Sequence, residues 1–327
     1  MIITPKRQAK LFKFLKITKL PYLPFSLGVE TGNICNLKCP LCPTGLADQS
    51  MKKGFMDLAL FQSIIDQLQK NLTVINLYSW GEPLLNPDLI AMIKYAKSAN
   101  KNINIITSTN LNIQNDQLLE DLIKSGINEI IISCDGINQE TYSQYRSGGN
   151  FDLLMRNMKY LVSLQKQLNN KTNLVWNYIV FKHNENDIEE AKKMASSLGI
   201  FIRISKMRTS MKEEILKPHA ESIEKYGDWI PNRPEYSAYD KEKGTTKISI
   251  KTCRKPWFEI SINWDGKIFP CCAVYGDEYN FGSIKEKNIR DIWNNPCYIK
   301  ARKEIVDKNR KAKTICGICR NNCFMHM

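Results

Sequence analysis

The sequence predicts an α/β protein built on a parallel β-sheet and followed by a smaller cysteine-rich region. Short β-branched runs alternate with helical periodicity from residue 25 to about residue 205, and seven of the eleven cysteines lie between residues 253 and 323. Repeated strand–helix units place parallel strands side by side with crossover helices between them. The hydrophobic content of 43% and the charged content of 24% are those of a globular protein.

Six short runs rich in β-branched and aromatic residues are predicted as strands, and five amphipathic stretches lie between them. The last two of these stretches end at residues that commonly stop helices, Asn169-Asn170 and Gly199. Periodicity alone leaves open whether such a sheet closes into a barrel. The predicted strands are 26–31, 73–79, 102–108, 129–135, 173–181 and 201–206, and the predicted helices are 57–70, 88–100, 115–125, 151–168 and 185–198.

The strand–helix alternation is lost between residues 208 and 247, where proline, charge and tyrosine follow no clean period. We place a domain boundary in this stretch. The chain is thereby expected to have three parts: a basic N-terminal extension over 1–24, a core over 25–235 and a cysteine-rich domain over 236–327.

The net charge of +14 is concentrated at the two ends of the chain. Residues 1–29 carry six Lys or Arg and no acidic residue, and residues 285–327 carry eleven against four acidic residues. Because the body between them is nearly neutral, no nucleic-acid partner is expected. We interpret the ends as a solvated lysine-rich surface, with an anionic substrate, an acidic carrier or a membrane surface as alternatives.

The N-terminus has no continuous apolar core, and no apolar run reaches the roughly 18 residues that span a bilayer. A cytoplasmic protein with no transmembrane segment is therefore expected. Its cysteines would be reduced thiols, whose clustering indicates metal binding or catalysis rather than disulfides. None of the three histidines has a metal-ligand spacing, so any metal site should consist of cysteines.

Three cysteines follow the first predicted strand in a C-x3-C-x2-C pattern: Cys35, Cys39 and Cys42. Thiolates are the standard ligands of iron–sulfur clusters, and three of them would leave one iron of a cubane open. The alternatives are a zinc knuckle with a distant fourth cysteine, or three unrelated buried thiols. The pattern lies after a strand, where βα proteins place their chemistry.

This pattern and two later segments together resemble the signature of the radical S-adenosylmethionine (SAM) superfamily. SWGEPLLNPDL (79–89) is similar to the family's GGEP motif, and the segment 132–161 is similar to the S-x-D-G…R…F segment of its peptide- and aminocyclitol-modifying branches. The resemblance implies a partial (β/α)6 radical SAM barrel. It also implies SAM cleavage at a 4Fe–4S cluster to a 5′-deoxyadenosyl radical that abstracts hydrogen from a substrate, with a flavodoxin- or ferredoxin-type electron donor.

The resemblance carries residue roles onto matching positions. Cys35, Cys39 and Cys42 would be the cluster ligands. Two departures are Leu41, where the family often has an aromatic residue, and Trp80, where it has a second glycine. The SAM contacts that the resemblance implies are Gly81, Glu82 and Pro83 for the amino group, Ser133 for the ribose and Arg146 for the carboxylate, while Thr109 and Asn110 would line the cleft or be ordinary turn residues.

The C-terminal cysteines resemble the SPASM/Twitch extension of the same superfamily. Cys253-x12-Gly266-x4-Cys271 fits the family's C-x9–15-G-x4-C pattern. The shorter Twitch form holds one auxiliary 4Fe–4S cluster through a C-x17-C pair and a C-x2-C pair, and the alternative metal for four thiolates is zinc. The resemblance thereby implies a ligand set that we call the auxiliary cysteines, in which Cys323 is an alternative member: Cys253, Cys271, Cys316 and Cys319.

Three cysteines remain outside these sets. Cys134, next to Ser133 at a strand end, is either a hydrogen-atom donor facing the cavity or a buried thiol. Cys272 and Cys297 are expected to pack.

The function that the resemblance implies is a radical SAM oxidoreductase, and the auxiliary cluster is hypothesised to take an electron from the substrate radical. A sugar- or aminocyclitol-like alcohol is favoured because few residues precede the first strand, whereas peptide-modifying members often carry an N-terminal recognition domain. The single-auxiliary-cluster layout also resembles that of aminocyclitol-oxidising members. The alternatives are a peptide or protein side chain as substrate, or a non-enzymatic binding protein with a metal cluster and basic ends.

Overall fold

The structure is a computed structural model that describes residues 4–48, 51–209, 219–247, 253–307 and 311–321. Within these residues each predicted strand is present, and consecutive strands pair in parallel from the first to the sixth. The predicted parallel sheet is therefore confirmed. Its strands are β1 (Ser26–Val29), β2 (Val74–Asn76), β3 (Asn104–Thr109), β4 (Glu129–Ser133), β5 (Asn173–Val180) and β6 (Phe201–Lys206).

The predicted crossover helices are also confirmed, and several begin at a side-chain cap. Asp57, Asn115 and Asn150 each accept a hydrogen bond from a backbone N–H in the first turn of the following helix. The last crossover helix ends at Gly199, whose φ of 71° suits glycine. The helices are α1 (Pro5–Phe14), α2 (Leu58–Leu68), α3 (Leu89–Ala99), α4 (Asp116–Lys124), α5 (Gln139–Tyr145), α6 (Phe151–Gln167), α7 (Ile188–Leu198) and α8 (His219–Lys225).

Strand residues alternate between two environments, as the pleat requires. Leu27 and Val29 of β1 and Ile130 and Ile132 of β4 are completely buried in the main hydrophobic core that the helices share. Each such side chain contributes roughly 1.5–3 kcal/mol by leaving water. The residues between them face the opposite side of the sheet and remain available to line a site.

The cysteine-rich region extends the barrel sheet, which the sequence did not predict. After a small hairpin, β7 (Tyr239–Asp240) with β8 (Thr245–Thr246), strand β9 (Glu259–Ile262) pairs in parallel with β1, and β10 (Ile268–Phe269) pairs antiparallel with β9. The strand order is β10-β9-β1-β2-β3-β4-β5-β6. The boundary proposed at residue 236 therefore separates segments whose strands belong to one sheet.

The N-terminal extension packs on the C-terminal region, which ends in α9 (Ile289–Trp293), α10 (Pro296–Val306) and α11 (Ile315–Asn321). Helix α1 contacts the short turn Lys255–Trp257. The Trp257 indole donates to the Ile17 carbonyl at 2.9 Å, and the buried Arg302 guanidinium donates to the Thr18 carbonyl at 2.9 Å. These contacts fix α1 beside the auxiliary cysteines.

In the described ranges of the chain, no helix has the length and apolar character needed to cross a bilayer.

Candidate active site

A cavity of about 190 Å³ lies where the carboxyl ends of the barrel strands meet. Segments following β1, β2 and β4 and the ends of β3, β4 and β5 all contribute to its wall, so the sheet curves around it. The sequence-predicted residues that line it are Cys35, Cys39, Cys42, Gly81, Glu82, Thr109, Asn110, Ser133 and Arg146.

The three thiols of the loop after β1 face this cavity. Cys35 Sγ accepts hydrogen bonds from the Leu37 N–H at 3.4 Å and from Asn110 Nδ2 at 3.7 Å. Burial raises the pKa of the Cys35 thiol to about 11, and it also raises the pKa of Cys39. Thiols with a raised pKa are protonated at neutral pH and are poor nucleophiles, and a bound metal would displace their protons.

Two glycines let backbone segments meet at the cavity wall. A Cβ on Gly81 would lie 2.2 Å from the Gly32 carbonyl oxygen, and a Cβ on Gly45 would lie 2.4 Å from the Cys39 carbonyl oxygen. The Glu82 N–H also donates to the Ile34 carbonyl at 2.9 Å. The segment after β2 is thus pressed against the cysteine loop with no room for a side chain between them.

The Glu82 carboxylate is committed to the protein backbone. It is buried and accepts from the Asn110 N–H at 2.7 Å and from the Leu84 N–H at 3.1 Å. Burial raises its pKa, and the Asn110 hydrogen bond opposes that rise. Pro83 begins the turn Pro83–Leu85 and is buried. The side chain of Glu82 therefore ties β2 to the end of β3, which shapes the cavity between them.

An ion pair holds Arg146 in the cavity wall. Its Nε donates to Asp135 Oδ2 at 2.6 Å, and the other oxygen of this fully buried carboxylate accepts from the Ile179 N–H at 2.6 Å. One guanidinium nitrogen lies 3.9 Å from Cys39 Sγ. Because Asp135 occupies only Nε, the terminal nitrogens face the cysteine loop and the cavity.

Asn110 contacts the cysteine loop directly. Its Nδ2 donates to Asn36 Oδ1 at 2.8 Å as well as approaching Cys35, and its Oδ1 accepts from the Asn112 N–H at 2.8 Å. Of the two alternatives in the sequence analysis, the structure supports the cleft-lining one. Ser133 also lines the cavity, with its hydroxyl 3.4 Å from that of Ser108.

Cys134 does not face the cavity. Side chains alternate along a strand, so Ser133 points inward while Cys134 packs into the helix-covered core, fully buried, with Sγ 3.5 Å from the Gly136 carbonyl. Of the two alternatives for Cys134, this position favours the buried thiol.

Behind the cavity, the inner face of the sheet carries small polar side chains. Ser205 donates to Asn177 Oδ1 at 2.7 Å, and Asn177 is the register partner of Ser133 on the neighbouring strand. The Ser133 hydroxyl lies 3.4 Å from that of Ser108. Tyr78 also lines the cavity. Burial raises its pKa, and the charges of Cys272, Lys255, Arg203 and Glu259 lie near enough to act on it. This polar inner face therefore reaches from the cavity toward the cysteine-rich region.

The auxiliary cysteines come together from three separate elements. Cys253 precedes the Lys255–Trp257 turn, Cys271 follows β10, and Cys316 and Cys319 lie on α11. Burial raises the pKa of Cys271 to about 12. Burial also raises the pKa of Cys316, and the neighbouring Cys271, Cys253 and Cys319 raise it further. Cys323 lies outside the described residues.

A buried carboxylate positions the helix that carries Cys316 and Cys319. Glu304 on α10 is fully buried, and it accepts from the Lys313 N–H at 3.1 Å, the Thr314 N–H at 2.9 Å and the Thr314 hydroxyl at 2.6 Å. These donors lie just before α11, where backbone N–H groups lack helical partners. Glu304 therefore fixes the start of that helix.

Family comparison agrees with this geometry. The model of the radical SAM superfamily matches residues 29–195, more than half of the 327-residue chain. The chain belongs to the radical SAM superfamily. A second model, an iron–sulfur cluster-binding domain named SPASM, matches residues 253–324. The predicted barrel and C-terminal cluster domain are thereby confirmed, and the chain is a SAM-dependent enzyme.

Relatives of this radical SAM chain are distant in sequence but align over most of their length. An AdoMet-dependent heme synthase of Methanosarcina barkeri is 23% identical over 316 residues, covering 87% of this chain and 85% of that protein. The structure of BtrN with AdoMet and 2-DOIA is 18% identical with a TM-score of 0.59, covering 91% and 93% of the two chains. Streptococcus suis SuiB bound to precursor peptide SuiA is 17% identical with a TM-score of 0.64, covering 96% and 74%. These structures share the fold.

The cofactors of this radical SAM enzyme are SAM, a 4Fe–4S cluster and an auxiliary iron–sulfur cluster, and the residues present fit them. Three thiols border the cavity, and three thiolates can hold a 4Fe–4S cluster with one iron left open. Across the described residues, no three Cys, His, Asp or Glu side chains converge on one metal-ion position.

One cysteine assignment outside the ligand sets needs correction, and a second gains a specific contact. Cys297 was expected to pack but is exposed at the start of α10, because the inward positions of that helix fall on Tyr298, Ala301 and Arg302. Cys272 does more than fill space, since its Sγ lies 3.9 Å from the Lys255 ammonium, which is also bonded to Glu259 at 2.6 Å.

Several residues of the site were missed by sequence reasoning. Asp135 lies inside the S-C-D-G segment that signals the family, and a buried arginine next to it could have been expected from the motif. Tyr78 carries no such local signal, because the charged groups that act on it are far away in the sequence. Lys255 and Glu304 bond to residues only four to ten positions away, but these pairs belong to no motif that marks the site.

Proposed function

We propose that this radical SAM enzyme oxidises a small polyhydroxylated alcohol of the sugar or aminocyclitol class. The observation that carries the proposal is the polar inner face of the sheet, where serine and asparagine side chains adjoin the SAM cavity. Hydroxyl and amide groups can each donate and accept, so they match a ring of substrate hydroxyls. The oxidation of such an alcohol to a carbonyl removes two protons and two electrons.

When bound, SAM with its cluster supplies hydrogen-atom abstraction and the auxiliary cluster supplies an electron acceptor. Cys35, Cys39 and Cys42 are proposed to hold the first cluster. The backbone at Gly81 to Pro83 would orient the amino group of SAM. The terminal nitrogens of Arg146 would bind its carboxylate in a forked contact, because Asp135 accepts only from Nε and leaves them free. Asn110 donates toward Cys35 and would neutralise part of its negative charge.

Further groups would bind and orient the remaining parts of the ligands. Ser133 is proposed to contact the ribose, since its hydroxyl lines the cavity. Leu41 is buried beside the loop and would exclude water without stacking on a base. The auxiliary cysteines are proposed to hold one cluster, because Cys253, Cys271 and Cys319 lie near enough to Cys316 to act on its charge. We also propose a reducing, cytoplasmic setting, which agrees with the free thiols of the ten described cysteines. A flavodoxin- or ferredoxin-type protein is proposed as the electron donor.

A peptide substrate is the second candidate, because SuiB, a structural neighbour with a TM-score of 0.64, was solved with a precursor peptide. The experiment that separates the two uses the anaerobically reconstituted full chain with SAM and dithionite. A panel of aminocyclitols, inositols, nucleotide-linked sugars and short peptides is added, and 5′-deoxyadenosine is quantified for each. A carbon-deuterated polyol should transfer deuterium into 5′-deoxyadenosine and yield a ketone.

Asn177→Leu tests the polar face, because it keeps the branched shape and the number of side-chain heavy atoms but removes the polar group. It should raise the KM for the polyol by about tenfold or more, as expected when a half-buried hydrogen-bonding partner is lost, and leave substrate-free 5′-deoxyadenosine formation unchanged. Stimulation and deuterium transfer by peptides alone would replace the polyol proposal with the peptide one.

A further inference from the structure

A basic groove of about 490 Å³ lies beside the auxiliary cysteines, between the N-terminal helix and the end of α10. Its walls combine four cations with three apolar side chains, and none of the described residues that line it is acidic. These residues are Lys10, Lys13, Phe14, Lys16, Arg254, Ile305 and Val306.

The groove continues into an exposed apolar strip on α1. Phe14 is 80% exposed, Leu15 is 55% exposed and Leu11 is 41% exposed. Lys10 and Lys16 stand on either side of this strip and are exposed as well. An apolar centre with a charged rim is the composition of a protein docking surface.

The groove reaches the auxiliary site through the chain itself. Arg254, in the groove wall, is covalently next to Cys253, so their Cα atoms lie about 3.8 Å apart. The charge of Lys13 acts on the Cys253 thiol, and helix α1 packs on the turn Lys255–Trp257 that follows it. A molecule bound in the groove therefore contacts the residue that directly follows an auxiliary ligand.

We propose that this groove docks an acidic one-electron carrier protein of the flavodoxin or ferredoxin class, which takes up the electron that substrate oxidation leaves on the auxiliary cluster. The proposal rests on the proposed function. An acidic carrier complements the four cations, and small electron-transfer complexes need little more than a charged rim and a compact apolar centre. The groove is concave, which suits a protruding protein edge better than a flat bilayer.

The electron balance is complete with this partner. Per turnover the alcohol gives one hydrogen atom to the SAM-derived fragment, one proton to a base or water and one electron to the auxiliary cluster. One electron then passes from the cluster to the oxidised carrier, whose flavin or iron–sulfur centre is reduced by one electron. No bond forms or breaks in this last transfer.

The test compares two variants of the reconstituted full chain with equal charge change. K10E/K16E reverses the groove rim, and K94E/K159E reverses two exposed lysines on α3 and α6. The probe is a purified acidic bacterial flavodoxin, and its Kd is measured by titration at low and physiological salt. K10E/K16E should weaken binding about tenfold at low salt, and less at high salt, because exposed charges are screened. K94E/K159E should stay within about twofold of the wild type.

Phe14→Ser tests the apolar centre, and Phe201→Ser is its control because Phe201 is also strongly exposed, at 63%, on β6. Phe14→Ser alone should weaken flavodoxin binding. The proposal is overturned if K10E/K16E binds flavodoxin like the wild type, or if both charge variants weaken equally. It is also overturned if the protein binds anionic vesicles in a way that depends on Lys10 and does not bind flavodoxin.

Two further readouts separate this proposal from the proposed function. Iron content and dithionite-driven 5′-deoxyadenosine formation should be unchanged in all four variants, because the chemical reductant bypasses the groove. If the wild type forms no ketone from polyols yet its flavodoxin binding depends on Lys10 and Lys16, the substrate proposal fails and the docking surface stands.

Discussion

Replacing Gly81 with alanine should disable SAM cleavage while leaving the fold in place. The new Cβ would lie 2.2 Å from the Gly32 carbonyl oxygen and 2.9 Å from the Asn33 Cα, and both contacts are to backbone that cannot rotate away. Relief requires the two segments to separate by about 1 Å, since nonbonded carbon atoms come no nearer than about 3.5 Å at their energy minimum. Overpacking of this kind costs about 1–3 kcal/mol in the free energy of unfolding. A 1 Å displacement in a reactive site costs about 100-fold in rate.

The matched control is Gly199→Ala. Its φ of 71° strains alanine by about 1 kcal/mol, yet nothing lies within 4 Å of the added Cβ. Both variants are reconstituted, their iron is counted, their unfolding is followed in urea, and dithionite-driven 5′-deoxyadenosine is measured. Gly81→Ala should lose about 100-fold in rate, whereas Gly199→Ala should lose only stability. Equal rates for the two variants would refute a close backbone packing role at Gly81.

Three further substitutions test other parts of the site. Asp135→Asn should cost about 3 kcal/mol in unfolding free energy and raise the KM for SAM, because it leaves the buried Arg146 charge unpaired; Asp116→Asn, which opens an exposed ion pair, should change neither. Glu304→Ala should lower the iron content from about eight to about four per chain, because the start of α11 loses its acceptor, and unchanged iron would argue against that role. Burial raises the pKa of Glu30 to about 8, above an unfolded value of about 4.3. Between about pH 5 and 8 the folded chain then holds a proton that the unfolded chain has lost. As the pH rises through this range, the free energy of unfolding should therefore fall by up to about 1.4 kcal/mol per pH unit. Glu30→Gln should remove this fall, and identical pH profiles in urea unfolding would contradict the assignment.

Local patterns were sufficient for the barrel strands and crossover helices, because each carries its own periodicity and capping residues. The same patterns could not reveal that β9 pairs with β1. Glu259 and Ser26 are paired neighbours in the sheet, but nothing in either short segment specifies a partner more than 200 residues away. The packing of the N-terminal extension through Arg302 and Thr18 is equally nonlocal.

The site shows the same division. The cysteine loop and the Gly81 segment were predictable because their motifs are contiguous, and the inward side of Ser133 follows from strand alternation, which also excludes Cys134. Asp135 and Arg146 lie within one motif, but only the folded structure shows that they form an ion pair. The Lys255–Glu259–Cys272 contacts connect a turn, a strand and a loop, so only the assembled sheet brings them next to Tyr78.

The most direct test of the central claim uses the wild type and a C35A/C39A/C42A variant, both reconstituted anaerobically with iron and sulfide. The wild type should bind about eight iron atoms and form 5′-deoxyadenosine from SAM with dithionite. The variant should keep about four iron atoms on the auxiliary cysteines and form none. Formation of 5′-deoxyadenosine by the variant, or its absence in a fully loaded wild type, would contradict the account.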